Sequence, residues 1–319
     1  MICFVLGIRT PSNNCQGVSG LTSHVLILVI LSSLAVSAGA VMSEEQALSL
    51  VQARLQSLQN ISFQFEKADT RSPPPSILKL NGKKLKNGST LRVYSGTDNF
   101  SGSLSLLDGM VKMTSELKPD DAARFRATKR AGYSKLIWVI RPDRAERFQE
   151  SNSTGKMKGL ISSETELPSD GVDVGLGLRK YGHGEWISDL DISENTDVVV
   201  GERLIEMSRT DVSGRRHVWF HDVGKAAAVT RYEVRVPPGD ELNIEYVMDD
   251  FEIVDGIFLP GKVISRVHAL VNSEKVVTQE AVYEVSEYRL NDSQNTAARY
   301  EIVWPDGTSL IDNRIGVMF

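Results

Sequence analysis

RYEVRVPPGDELNIEYVMDDFEIVDGIFLPGKVISRVHALV, residues 231–271, is the stretch on which the fold turns. Runs rich in Val, Ile, Tyr and Phe are separated by turn residues at Pro237-Pro238-Gly239-Asp240, Asp255-Gly256 and Pro260-Gly261, the pattern of an antiparallel meander. Asp255-Gly256 is the strongest hairpin signal in the chain. A two-residue turn of the right twist needs φ > 0, which Asp tolerates and Gly adopts freely.

Working outward, the chain on both sides continues as β-structure. Downstream, strands are expected over 276–290 and 300–304, with a last hairpin at Asp306-Gly307 leading into 308–311. Upstream, they are expected over 186–192, 197–200, 204–210 and 217–221. Residues 149–171 are polar and read as a long surface loop. The apolar run 136–140 fits a buried strand or a helical piece, which periodicity does not separate. Pro119-Asp120-Asp121 opens a helix reaching Arg130, with proline at an early position and acids at the positive dipole end. Asp108-Gly109 signals a hairpin between 102–107 and 110–113, and shorter strands are expected over 76–80 and 90–94. Pro73-Pro74-Pro75 marks an extended loop.

Further upstream, Ile61, Phe63 and Phe65 alternate along one face of a strand. It follows a helix whose Ser43 and Gln46 are spaced for a capping box and whose Ala47, Leu48, Val51, Leu55 and Leu58 form an apolar stripe. That stripe must be buried against the sheet. The fold class is therefore α+β, mostly β: one large, curved antiparallel sheet, an incomplete β-barrel, wrapped around one or two helices over 41–319.

Residues 21–42 contain no Asp, Glu, Lys or Arg, and their apolar centre runs into Ala38-Gly39-Ala40, an A-x-A cleavage pattern. Residues 1–40 thus read as a signal peptide, which makes the protein periplasmic or otherwise extracytoplasmic. The alternative is a retained N-terminal membrane anchor, since the uncharged stretch is long enough to span a bilayer. Both cysteines, Cys3 and Cys15, precede the apolar centre, so a cleaved chain would have no thiol. A net charge of −5 over 319 residues leaves no basic stripe for nucleic acid.

Enzyme signatures are missing from the sequence. There is no G-x-S-x-G elbow, P-loop or H-E-x-x-H. His217 and His221 lie four apart in a β run, where they are roughly 13 Å from one another, too far for one metal ion. Asp189 to Asp197 alternates acids as a calcium loop does, but Glu194 stands where the loop needs glycine and Val200 where it needs an acid. No catalytic residue, cofactor or metal is expected.

The segment from Asp250 to Val263, DFEIVDGIFLPGKV, resembles the "D-F-x-x-V-D-G-I-x-x-P-x-K-V" hairpin of the LolA/LolB-like superfamily, the periplasmic outer-membrane lipoprotein-sorting proteins. Arg216 to His221, followed by Thr230 to Val234, is similar to that superfamily's "vWfD…lxryEv" strand pair, with His221 where an acid is more usual. The resemblance implies an incomplete barrel, lidded by helices, whose apolar cavity holds acyl chains or docks a hydrophobic segment of a partner. By alternation, the candidates for the cavity face are Phe63, Phe65, Val93, Ile205, Met207, Val218, Phe220, Tyr232, Val234, Phe251, Ile253, Ile257 and Leu259. Ordinary core packing accounts for each of them equally well. Two functions remain: a non-catalytic carrier of an acyl chain or lipoprotein, with peripheral membrane contact, and an envelope-protein interaction or sensor domain on the same scaffold.

Overall fold

The computed structural model describes residues 42–83, 93–127, 132–163, 196–271 and 274–318. The signal segment and the strand expected over 186–192 lie outside them. Among the described residues, fifteen strands join into a single curved sheet.

In chain order the elements are α1 (Glu44–Ser57), β1 (Asn60–Arg71), α2 (Pro75–Leu78), β2 (Gly96–Leu107), β3 (Met110–Leu117), α3 (Pro119–Ala127), β4 (Tyr133–Arg141), β5 (Arg144–Ser151) and β6 (Met157–Ser162). There follow β7 (Asp197–Val200), β8 (Leu204–Thr210), β9 (Arg216–Asp222), β10 (Ala228–Val236), β11 (Glu241–Val254), β12 (Ile257–Val271), β13 (Glu274–Leu290), β14 (Ser309–Asp312) and β15 (Val317–Met318). Their order across the sheet is β15-β14-β6-β5-β4-β3-β2-β1-β13-β12-β11-β10-β9-β8-β7. The pairings are antiparallel except β14 against β6. Two consecutive meanders, β1–β6 and β7–β13, are thus zipped together where β1 pairs with β13.

Local chemistry explains the hairpins. Asp255-Gly256 adopts φ 50° and 81° and closes a two-residue turn with Val254 opposite Ile257. Asp108-Gly109 does the same at φ 46° and 78° between Leu107 and Met110. Pro237–Asp240 joins β10 to β11 as expected.

The sheet has two unlike faces. On the inner face, α1 covers one region and α3 another, where Phe125 and Ala122 pack with Leu117 and Phe100. On the outer face, Tyr300, Ile302 and Trp304 lie over Val139, Phe148, Ile137 and Met157 as a strap. Asn295 anchors the strap: its Nδ2 donates to Asn60 Oδ1 (2.8 Å) and to the Leu106 carbonyl (3.0 Å), and its Oδ1 accepts from Tyr300 Oη (2.9 Å).

Several expectations are corrected. Residues 76–80 form no strand; Pro75 at the first helical position starts the short α2 instead. Of the loop expected over 149–171, residues 149–151 and 157–162 are instead paired strands of β5 and β6, 152–156 form the turn between them, and 164–171 lie outside the described residues. Residues 300–304 stand outside the ladder as the strap. Pro260-Gly261 is no turn and lies inside β12. There Gly261 faces Asp250, whose φ of 53° kinks β11, and a Cβ on Gly261 would come within 2.8 Å of the Asp250 carbonyl.

Candidate functional site

The capping box forms as the spacing predicts: Gln46 N–H donates to Ser43 Oγ (3.2 Å), and Ser43 N–H donates to Gln46 Oε1 (2.9 Å). From that start α1 buries Ala47, Leu50, Val51, Arg54 and Leu55. Leu48, expected in the stripe, is only half-buried, and Leu50 takes its place. Arg54 is the unexpected member of this face, a guanidinium only 8% exposed.

Opposite α1 the sheet is apolar and aromatic. In an antiparallel ladder, directly paired residues share a face. Pairing therefore groups Met207 with Trp219, Trp219 with Tyr232, and Tyr232 with Tyr246. It likewise groups Ile205 with His221, and Val234 with His217. Phe63, Phe65, Ile205, Met207, Tyr232, Val234 and Leu259 are all buried on this inner face. Ile257 shares it and is half-buried.

The same registers move four candidates to the outer face. Val218 pairs with Glu233 and Phe220 with Arg231. Phe251 pairs with Pro260 and Ile253 with Phe258, whereas Leu259 pairs with Glu252. Accordingly, Ile253 is 62% exposed, and the Phe251 ring carries Lys225 Nζ at 4.2 Å from its centroid. Val93 lies in no strand; its N–H donates to Asn81 Oδ1 before β2 begins.

Arg54 reaches into this environment from α1. Its Nη2 donates to the Phe258 carbonyl at 2.7 Å, while its Nη1 is buried and without a hydrogen-bond partner. Burial pulls its pKa down to about 10. His221 is buried near it and donates from Nδ1 to the Ala227 carbonyl at 2.9 Å. Burial, followed by the charge of Arg54, lowers His221 to about 4, so the imidazole is neutral at physiological pH. Tyr288 donates to the Pro260 carbonyl (2.7 Å) and rests against Phe63 with ring centroids 5.4 Å apart. Burial pushes its hydroxyl far above the usual tyrosine value.

A second polar group sits deeper in the same face. His217, fully buried, has Nδ1 2.6 Å from Tyr232 Oη and Nε2 3.2 Å from Asp211 Oδ2. Burial alone would raise Asp211, but hydrogen bonds from Ser213, His217 and Arg215 hold it well below the usual carboxylate range. Tyr232 stacks between Trp219 (5.1 Å) and Tyr246 (5.8 Å). The hydrogen bonds among Asp211, His217 and Tyr232, with the ring stack across Trp219, Tyr232 and Tyr246, tie β8–β11 together in the core. No histidine–carboxylate cluster suited to a metal forms among the described residues.

At the end of the sheet where β1 and β12 finish and β13 begins, an open cleft of about 560 Å³ is lined by Arg71, Pro74, Ile77, Tyr94, Leu270 and Gln279, among others. Behind its polar lining, Gln279 Nε2 donates to buried Asp69 (3.0 Å) and Tyr94 Oη to buried Asp98 (3.2 Å).

No family model and no curated protein matches the chain. Solved structures do match, and three of them cover most of the chain. One is a DUF1329 family protein from Desulfovibrio piger, 13% identical with a TM-score of 0.46, covering 80% of this chain and 95% of that one. Another is an outer membrane lipoprotein-sorting protein domain from Vibrio parahaemolyticus, 9% identical with a TM-score of 0.44 and the same coverage, 80% and 95%. The third is a LolA superfamily protein from Nitrosomonas europaea, 11% identical with a TM-score of 0.39, covering 77% of this chain and 94% of that one.

Proposed function

We propose that the protein is a non-catalytic, extracytoplasmic carrier that holds an acyl chain, free or attached to a lipoprotein, on the inner face of the sheet beneath α1. One observation carries this reading: an amphipathic helix lays Ala47, Leu50, Val51 and Leu55 over an apolar, aromatic sheet face and, among the described residues, its side-chain hydrogen bond to the sheet is that from Arg54 to the Phe258 carbonyl. A helix that only completed a core would present an uninterrupted apolar stripe. A cover tethered at a polar point can lift without unravelling the ladder beneath it, because every strand bond of the sheet is made independently of the helix. Among the described residues no helix is long and apolar enough to cross a membrane, and delivery to a bilayer would proceed by peripheral contact.

The test is native purification of the secreted protein, followed by lipid extraction and mass spectrometry. An acyl ligand near one per protein supports carriage. If the protein comes out empty and takes up no fluorescent fatty acid, carriage is wrong, and the inner face serves as packing for an envelope-protein interaction domain.

A further inference from the structure

We propose that Arg54 recognises an anion, so that the occupant of the inner face is an amphiphile with a carboxylate or phosphate headgroup. This deepens the acyl-binding reading above and rests on it.

A guanidinium has five N–H donors and no acceptor, and it stays charged. Arg54 is 8% exposed, yet among the described residues its side chain makes one hydrogen bond, to a backbone carbonyl, and its Nη1 is left buried without a partner. Among the described residues no carboxylate pairs with it; burial lowers its pKa, and Tyr288 opposes that shift. Glu252, the carboxylate facing Leu259 on the same sheet face, bears on Tyr288 and not on Arg54. His221 has already committed Nδ1 to Ala227, and Tyr288 has committed its hydroxyl to Pro260. A desolvated cation with no anionic partner is among the costliest things a fold can bury. Elsewhere in the molecule arginines meet carboxylates directly: Arg235 lies 2.6 Å from Glu233, and Arg266 lies 2.8 Å from Glu280.

An incoming carboxylate or phosphate oxygen would give Nη1 the charge-assisted bond it lacks. Tyr288, which bears on Arg54, its ring neighbour Phe63 and Leu259, which follows Phe258 in β12, offer aromatic and aliphatic surface that suits the chain following such a headgroup. The acylated end of a lipoprotein, an amide, thioether and esters, carries no negative charge and leaves the guanidinium as it is. The chemistry thus favours a free fatty acid or an acidic lysolipid over a lipoprotein terminus.

Binding of oleate, methyl oleate and lysophosphatidic acid to delipidated protein decides the matter, because the three share an acyl chain and differ in head charge. The expected result is that at least one anion binds about tenfold or more tighter than the ester. Oleate against lysophosphatidic acid then separates carboxylate from phosphate. The preference should fall below about twofold in Arg54→Met and persist in Arg54→Lys. Equal binding of all three by the wild-type protein overturns the proposal while leaving acyl binding intact, and this arm needs no variant to fold. A preference that survives Arg54→Met overturns the assignment to Arg54. Failure of all three to bind removes both the proposal and the carrier reading.

Discussion

His221 gives the protein an acid-labile point beneath its helix. The imidazole is fully buried, neutral and close to Arg54; its pKa is about 4 in the fold against 6.5 for an unperturbed histidine. The unfolded chain therefore binds the proton more readily. Stability from this residue is complete above pH 6.5, falls as the pH drops from 6.5 towards 4, and levels off below 4. At about 1.4 kcal/mol per pKa unit the full loss is about 3 kcal/mol, of which about 2 kcal/mol falls between pH 7 and pH 5. The perturbation that isolates it is His221→Asn, whose amide N–H can still donate to Ala227 but does not titrate. Urea unfolding of both proteins at pH 7, 6 and 5 is the assay. Carboxylates such as Asp211 titrate alike in both, so the difference between the two pH slopes belongs to His221. The wild type should lose about 2 kcal/mol more than the variant from pH 7 to pH 5. Slopes that agree within about 0.5 kcal/mol would refute the burial argument.

Two further outcomes follow from close packing. A Cβ on Gly102 would fall inside contact distance of both the Phe65 ring and the Thr114 carbonyl; because the backbone oxygen has no room to yield, Gly102→Ala should cost at least about 2 kcal/mol in thermal or urea melts. An unchanged melt would mean that β2 is not pinned beneath Phe65. Asn295→Ala strips hydrogen bonds from Asn60, the Leu106 carbonyl and Tyr300 together. It should cost roughly 1–3 kcal/mol and speed amide exchange in 300–304 well beyond that in β12 and β13. Uniform exchange across all three segments would show that Asn295 does not anchor the strap.

Where turn chemistry is local, the sequence is enough. Asp255-Gly256, Asp108-Gly109 and the Ser43–Gln46 box each depend on a few adjacent residues and form as read. What fails depends on partners far along the chain. Residues 149–151 and 157–162 pair as strands although the stretch is largely polar; pairing there comes from the backbone, which polarity does not report. Residues 300–304 alternate because a strap packs one side on the sheet, and alternation does not distinguish that from a strand. The errors of facing share a cause. In 217–221 neighbouring side chains are buried on both faces, so hydropathy carries no parity. Across Asp255-Gly256 the two-residue turn pairs Val254 with Ile257, which sets Phe251 and Ile253 opposite in facing to Ile257 and Leu259. Arg54 did leave a signal, since it lies three residues after Val51 and four after Leu50, on the very stripe that should have been apolar.

The distribution of charge over the two faces bears on what that arginine is for. Across the outer face of β8–β13 the charges alternate from strand to strand. Glu206 meets Arg216, which meets Asp240; Arg235 joins Asp240 to Glu233; Arg231 joins Glu233 to Glu245; and Arg266 joins Glu245 to Glu280. Glu233 can be 1% exposed there because a guanidinium flanks it on each side. Desolvation is tolerated where the partners are built in. The same fold places Arg54 on the buried side of α1 where, among the described residues, the Phe258 carbonyl alone accepts from it, in a stripe where leucine would complete the packing and where replacing a buried charge by an apolar side chain is commonly neutral or stabilising. A core alone therefore gives no reason for a guanidinium at this position. A site that is finished only when an anion arrives does, and loading would then raise the stability of the folded protein, since anything that binds the folded state alone stabilises it by mass action.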